Sequence, residues 1–429
     1  MMQFKSSDNS IDAAKSFDNS DELKQFRDQF LFPKNKNGED VLYFAGHSLG
    51  LQPKLTRDYI NDELDSWEKH GVEGHFLGKH PWMPYHEFLT EPMARLVGGK
   101  PEEVVVMNTL TTNLHLMMVS FYRPTKTRFK ILIENNTFPS DVYAVKSQAR
   151  FHGFDWRDAV VELKPRTGEM AIRDEDLLAQ MDELGDSLAL VMLGNCNYLS
   201  GQAFDMGAIS DKAHELGAMV GFNLAHGAGN LVCDLHNNGP DFAVWCTYKY
   251  LNSGPGGIAG VFVHERHLND PEIPRFEGWW GQNKDNRFKM GPQFEPIPTA
   301  EAWQLSNPPI FQLAAIRASL ELYDKAGIQR LRQKGDHLTG YLEFLLKENC
   351  AEFVKIMTPS YVEGKQTRGS MLCLRFSKNP KQLNEHLSQL GIVCDFREPD
   401  ILRMAPVPIY NNHEDVYRLV ENIKRISHG

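Results

Sequence analysis

From about residue 100 to residue 263, uninterrupted apolar runs alternate with helix-patterned segments, and this alternation limits the fold more than any other feature of the chain. The runs cover 104–107, 129–133, 188–193, 219–224, 242–246 and 258–263, with helical patterns over 140–151, 173–183 and 206–216. A strand that faces water on one side alternates apolar and polar residues. A strand apolar throughout is covered on both faces. Such strands, separated by helices, predict an α/β fold with a mainly parallel sheet. Ligands of these sheets sit beyond the carboxyl ends of the strands, so the residues just after each run are the ones to inspect.

The flanks read differently. Residues 1–45 predict a charged, helical lead-in ending in an apolar strand and a turn over 41–53. A helix is expected at 56–69, and 74–82 is a loop rich in histidine and aromatics, of the kind that tends to be functional. Past Pro308-Pro309 two long helical patterns (310–325 and 328–347) precede strand-like 353–357 and 371–376, helical 381–390, strand-like 401–404 and a last helix from His413. The expected division is a lead-in over 1–45, a large α/β domain over 46–307 and a small α+β domain over 308–429. No internal repeat or low-complexity segment is present.

Composition excludes several functions. The net charge of -10 comes with no block of basic residues, so nucleic acid is not an expected partner. The first 28 residues hold no apolar signal segment, and no run is long enough to span a membrane. The six cysteines are scattered, without metal-type spacing, and read as reduced thiols of a cytoplasmic protein that needs no metal.

The chemistry collects after the runs. Asp241 to Gly257 is an aromatic, apolar stretch with Lys249 near its end and a Gly/Pro turn behind it. A lysine there either snorkels to water or serves as an amine whose lowered pKa suits a Schiff base with pyridoxal phosphate. Leu110-Thr111-Thr112-Asn113 opens a helix, an ordinary N-terminus or an anion site. Phe138-Pro139-Ser140-Asp141 opens another, with a ring that can stack on a flat ligand. Asn223 lies at the end of the strand predicted over 219–224 and His226 three residues on; a lone histidine there is either structural or a ligand to a ring substituent.

Taken together, the sequence resembles the kynureninases, hydrolases of pyridoxal-phosphate fold type I, the aspartate aminotransferase superfamily. The likeness extends from about Val41 to the last helix. It is carried by Ser48-Leu49-Gly50-Leu51-Gln52-Pro53, Asn113-Leu114-His115-Leu116, Phe138-Pro139-Ser140-Asp141, Tyr248-Lys249-Tyr250-Leu251-Asn252, Gly278-Trp279-Trp280-Gly281, Ser306-Asn307-Pro308-Pro309 and Ala405-Pro406-Val407-Pro408-Ile409-Tyr410-Asn411. The resemblance implies a seven-stranded type of sheet and a homodimer with shared active sites. It also implies hydrolysis of L-kynurenine or 3-hydroxy-L-kynurenine to an anthranilate and L-alanine, in tryptophan catabolism by the kynurenine pathway that leads toward NAD biosynthesis. Lys249 is then the Schiff-base lysine, with Tyr248 and Asn223 beside it in the chemistry. The Leu110 backbone, Thr111, Tyr248, Trp279 and Asn307 hold the cofactor phosphate, the last two from the partner. Phe138 stacks on the ring, with Pro139, Ser140, Asp141, Gly194 and His226 around it. Arg403 grips the substrate carboxylate rather than stabilising the fold, and Ser48, His75, Ser306 and Asn307 complete the substrate site. His75, Ser306 and Asn307 match enzymes of the animal type that prefer the 3-hydroxy substrate.

The departures cluster near the chemistry. Asn223 stands where the family has an aspartate paired with the pyridinium nitrogen, His47 where it has an asparagine, and Gly194 where a serine occurs. Leu199 replaces a tyrosine, Gln282 a histidine and Gln304 an arginine. An asparagine supplies no charge to the ring nitrogen, and losing such a partner typically costs on the order of 10²–10³ in rate. Asn223→Asp is therefore expected to raise turnover at least about tenfold. Two alternatives stay open from the sequence: a related enzyme acting on another amino acid, and a weakly active or non-catalytic relative.

Overall fold

The computed structural model describes residues 4–377 and 379–428. A seven-stranded sheet runs in the order Val104–Val106, Gly260–Val263, Phe242–Trp245, Met219–Asn223, Leu188–Gly194, Lys130–Glu134, Val160–Leu163. All of its strands are parallel to one another except Gly260–Val263, which is antiparallel to both neighbours. The exception has a local cause. A parallel return needs a crossover of a dozen or more residues, usually a helix; the link after Trp245 is a Gly/Pro turn with no helix, so the chain comes straight back.

Helices Leu110–Phe121, Pro139–Phe151, Asp174–Leu184 and Met206–Glu215 connect the strands. Their starts follow from the sequence: Pro139 is placed at a first turn where its missing N–H costs nothing, and Asp205 caps Met206–Glu215 by accepting from Ala208 N. Separate apolar clusters cover the two faces of the sheet, which is why Phe242–Trp245 and Gly260–Val263 are buried throughout. Close approach is built in: a Cβ on Gly221 would lie 2.1 Å from the Phe242 ring on the next strand. The Val160–Leu163 edge strand lacks a continuous apolar run and was not legible by that rule.

A four-stranded antiparallel sheet in the order Val354–Ile356, Leu372–Phe376, Ile401–Met404, Asp395–Arg397 forms the C-terminal unit with helices Ile328–Cys350 and His413–His428. The Ile310–Ala326 helix lies against Thr56–His70 and Glu87–Val97. The lead-in differs from a continuous helix. Among its described residues only Ile11–Ser20 is α-helical, and it lies along His413–His428, where Asp18 accepts from His413 N and Glu414 N. Leu42–Tyr43 then pairs with Ile392–Val393. Among the described residues no helix is long and apolar enough to cross a membrane.

Candidate active site

The carboxyl edge of the parallel strands gathers most of the expected groups. Leu110, Thr111, Phe138, Ser140, Asp141, Gly194, Asn223, His226, Tyr248 and Lys249 line one pocket, together with Glu134, Cys196, Tyr198, Ala225 and Cys246. Glu134, Gly194 and Asn223 are the last residues of three parallel strands. Lys249 follows the fourth by a short turn, and Leu110 begins the helix after the fifth.

Lys249 Nζ lies 3.1 Å from His226 Nε2, and 5.8 Å from the centroid of the Phe138 ring. Burial pushes the Lys249 amine below its ordinary range, an opposing pull coming from Cys246 and a further push from Arg403. Burial, then the nearby Lys249 charge, likewise holds the His226 imidazole well below its usual range, and His226 Nδ1 is buried without a partner. The shift is in the direction that favours the neutral amine, the form that bonds to a carbonyl carbon.

Asn223 corrects the expectation drawn for it. Its amide does not wait for a ring nitrogen: Asn223 Nδ2 donates to Asp141 Oδ2 at 2.5 Å, and Asn223 Oδ1 accepts from Ala225 N at 2.8 Å. The charge missing at position 223 is one residue away, on Asp141. Burial raises that carboxyl to about 6, against the Asn223 hydrogen bond and the Lys249 charge, and Asp141 Oδ1 is buried and unpartnered. Behind it Glu134 is fully buried; desolvation raises it to about 7, against hydrogen bonds from backbone N–H groups that include Gly194 N at 3.1 Å. A side chain at Gly194 would put its Cβ 3.1 Å from Glu134 Oε1, so glycine here makes room for the acid.

These residues fit pyridoxal phosphate. The N-terminal N–H groups of Leu110–Phe121 have no side-chain cap and can receive a phosphate. Phe138 is 44% exposed and offers its ring to a flat group. Asp141 supplies an unpaired acid oxygen, and Lys249 the amine.

Other predicted residues lie elsewhere. Arg403 is not a free cation: it is buried, its Nη2 is 2.8 Å from Asp395 Oδ1, Nη1 donates to Tyr198 O at 2.8 Å, and Nη2 reaches Ser48 Oγ at 3.4 Å. Ser48 in turn donates to Asp395 at 2.7 Å. These contacts tie Arg403 into the local structure, although Asp395 also holds Arg397 at 2.9 Å and Ser48 at 2.7 Å. Pro139 sits beside the pocket without lining it. His75 is bonded to Val72 O, Trp279 donates to Arg287 O and lines a separate cavity with Gln282, and Ser306 and Asn307 are exposed. Leu199 turns into a neighbouring cavity while Tyr198, one residue earlier, enters the pocket. Gln304 and His47 are buried with unpartnered polar atoms, outside the pocket lining.

Glu134, Tyr198 and Asp395 escaped the reading of the sequence. Glu134 carried a signal, being the first polar residue after an apolar run, the same rule that flagged Asn223. Asp395 carried none, because it meets Arg403 only through the antiparallel register of two C-terminal strands.

A family model described as the kynureninase C-terminal domain matches residues 331–423. The chain is 60% identical to a kynureninase of Myxococcus xanthus, with 96% of each chain covered. It is 46% identical to a kynureninase of Nematostella vectensis, covering 95% of this chain and 92% of that one. Among solved structures, the cysteine desulfurase CsdA from Escherichia coli superposes with a TM-score of 0.75 at 18% identity, over 95% of this chain and 98% of that chain. A mutant of C-DES with glycine covalently linked to its PLP cofactor superposes with a TM-score of 0.74 at 17% identity, over 93% and 98%. At that identity the structures speak for the fold: it is fold type I.

Proposed function

Because the chain belongs to the kynureninase family, we propose that it is a pyridoxal-phosphate-dependent hydrolase. It splits L-kynurenine or its 3-hydroxy form, with one water, into the corresponding anthranilate and L-alanine. The observation that carries the reading at the site is the juxtaposition of Lys249 with His226, Asp141 and an uncapped helix N-terminus in one pocket. When bound, pyridoxal phosphate supplies the electron sink for loss of the substrate's Cα proton and for cleavage of its Cβ–Cγ bond.

The chain's own residues then have defined tasks. Lys249 holds the cofactor and, once released, takes the Cα proton at Nζ. His226, 3.1 Å away, positions that amine. Asp141 supplies the negative charge that keeps the ring nitrogen protonated, and Asn223 orients Asp141 by its 2.5 Å hydrogen bond. Burial raises the Tyr248 hydroxyl pKa further, so it keeps its proton and can donate to the cofactor. Leu110 and Thr111 bind phosphate. Arg403, held by Asp395 and Tyr198 O, receives the substrate carboxylate with its fork already oriented.

The same proposal includes a homodimer. Trp279, Ser306 and Asn307 lie outside the pocket of their own chain, and Phe276, Trp279, Phe288 and Met290 are 40–71% exposed. A patch of that kind marks an interaction surface, and a second copy placed there brings those residues to the neighbouring pocket. It includes the division at 307/308 as well, with Ile310–Ala326 bridging the two units. A diverged substrate is not favoured, because the chain is 60% and 54% identical over nearly its whole length to two kynureninases. The test is anthranilate fluorescence released from kynurenine and 3-hydroxykynurenine by the purified holoprotein. Absence of both products, with the cofactor demonstrably bound, removes the reading.

A further inference from the structure

The opposite, amino-terminal edge of the large sheet holds a second set of ligand-type side chains. Glu103 precedes the Val104–Val106 strand, His264 follows Gly260–Val263, and His236 lies in the short helix Leu235–Asn238. Their ligand atoms all lie within 4.8 Å of one another. We propose that Glu103, His236 and His264 bind one divalent transition-metal ion, of which zinc best suits one carboxylate and two imidazoles.

The spacing supports this. Glu103 Oε1 is 3.0 Å from His236 Nδ1 and 3.9 Å from His264 Nδ1. Ligand bonds of about 2.0–2.1 Å in tetrahedral geometry put donor atoms roughly 3.3 Å apart, between those two values, so small side-chain rotations complete the set. The carboxylate is already oriented by Lys100 N, which donates to Oε2 at 2.8 Å, and by Glu265 N, which donates to Oε1 at 2.9 Å. Oriented second-shell donors of this kind are what metal-binding carboxylates carry.

Charge supports it too. Glu103 is 0% exposed, and a buried carboxylate needs compensation. Among the described residues no lysine or arginine side chain is paired with it: Lys100 Nζ is bound to Glu265, and Arg266 to Asp241 and Gly239 O. His264 Nδ1 accepts a long, 3.3 Å bond from Arg266 N, which a metal at that nitrogen would displace. His236 is partly exposed and gives the ion a path from solvent. The other comparable group, His86 with Glu87 and Glu301, differs in just this respect: Lys284 lies 2.8 Å and 3.1 Å from the two carboxylates and already supplies the charge. With three protein ligands from three separate segments, the ion acts as a staple at the edge of the sheet and leaves one coordination position for water.

The experiment uses the holoprotein, stripped with a chelator, equilibrated with micromolar zinc chloride and desalted before elemental analysis. About one zinc per chain is expected, with a rise of a few degrees in melting temperature. His236→Ala and His264→Gln should each lower the zinc affinity at least roughly tenfold and leave kynurenine turnover unchanged. Cobalt(II) in place of zinc should give the visible bands of a tetrahedral site in the unmodified protein, a reading that does not depend on the variants folding. Less than about 0.1 zinc per chain, or zinc retained by the double variant, overturns the proposal; the cluster is then a hydrogen bond between Glu103 and His236 alone.

Discussion

The two edges of the large sheet both bury an aspartate, and they treat it in opposite ways. At the amino edge Asp241 is saturated: His214 at 3.1 Å, His267 at 2.7 Å, Arg266 at 3.3 Å and Val220 N at 2.7 Å all face it. Burial by itself would raise its pKa, yet the hydrogen bonds from His214 and His267 overcome that and hold the carboxyl far below its usual range. At the carboxyl edge Asp141 has one strong partner and one orphaned oxygen, and burial wins. The lesson is one of energetics: a completed polar network serves stability, and an incomplete one stores a cost that a ligand relieves.

Four substitutions sharpen or break that contrast. The largest effect belongs to Lys249→Ala. Turnover should fall by about 10³ or more and the absorbance of the lysine-held cofactor should vanish, with the melting temperature nearly kept; peptide mapping after borohydride that labels a different lysine would show the assignment wrong.

Asp141→Asn should slow kynurenine turnover by roughly 10²–10³. In the cofactor-free protein it should at the same time be stabilising above pH 7. The sign follows from linkage: a carboxyl raised to about 6 in the folded state binds more protons than in the unfolded chain, so its stability cost grows as pH rises from about 4 and is complete above 6. The tenfold gain expected for Asn223→Asp alone no longer follows, because a second carboxylate 2.5 Å from Asp141 repels the first. The same change made on top of Asp141→Asn should restore rate; no recovery in that double variant would mean the two positions do not share the charge.

Asp241→Ala should cost about 1–3 kcal/mol of stability, since it leaves the buried Val220 N and the His267 ring without their acceptor. The Asp241 contribution has the opposite pH dependence. Its folded pKa is depressed, so its stability is present above the unfolded value of about 3.9 and is lost as pH falls below it. Denaturation of the variant at pH 7 and pH 3 checks this: a gap of equal size at both would contradict the saturated picture.

The smallest effect is that of Arg403→Lys. KM should rise about tenfold, and stability should drop by about 1 kcal/mol, since the lysine cannot reproduce the two-sided hold on Asp395 and Tyr198 O. A rise in KM with no loss of stability would return Arg403 to a purely ligand-directed role.

Much was legible in the sequence because it is local. A continuous apolar run is a buried strand wherever it lies, and the strands at 188–194, 219–223 and 242–245 fall where their runs are. The lysine after a core strand and the helix starts at Leu110 and Pro139 are local as well, which is why the pocket's main residues could be named in advance. What the tertiary structure alone decided is which polar groups are partnered and how far each is taken from water. Asn223 and Asp141 are 82 residues apart and meet at 2.5 Å because the strand that leads into the Asp141 helix and the strand that ends at Asn223 flank the same central strand. Asp395 reaches Arg403 through strand register, and Tyr198 rather than Leu199 turns inward through a loop that no periodicity describes. A pKa depends on desolvation by the whole surrounding fold and on charges brought together across it, so a sequence can supply the acid while only the packed structure decides whether it is saturated or left poised.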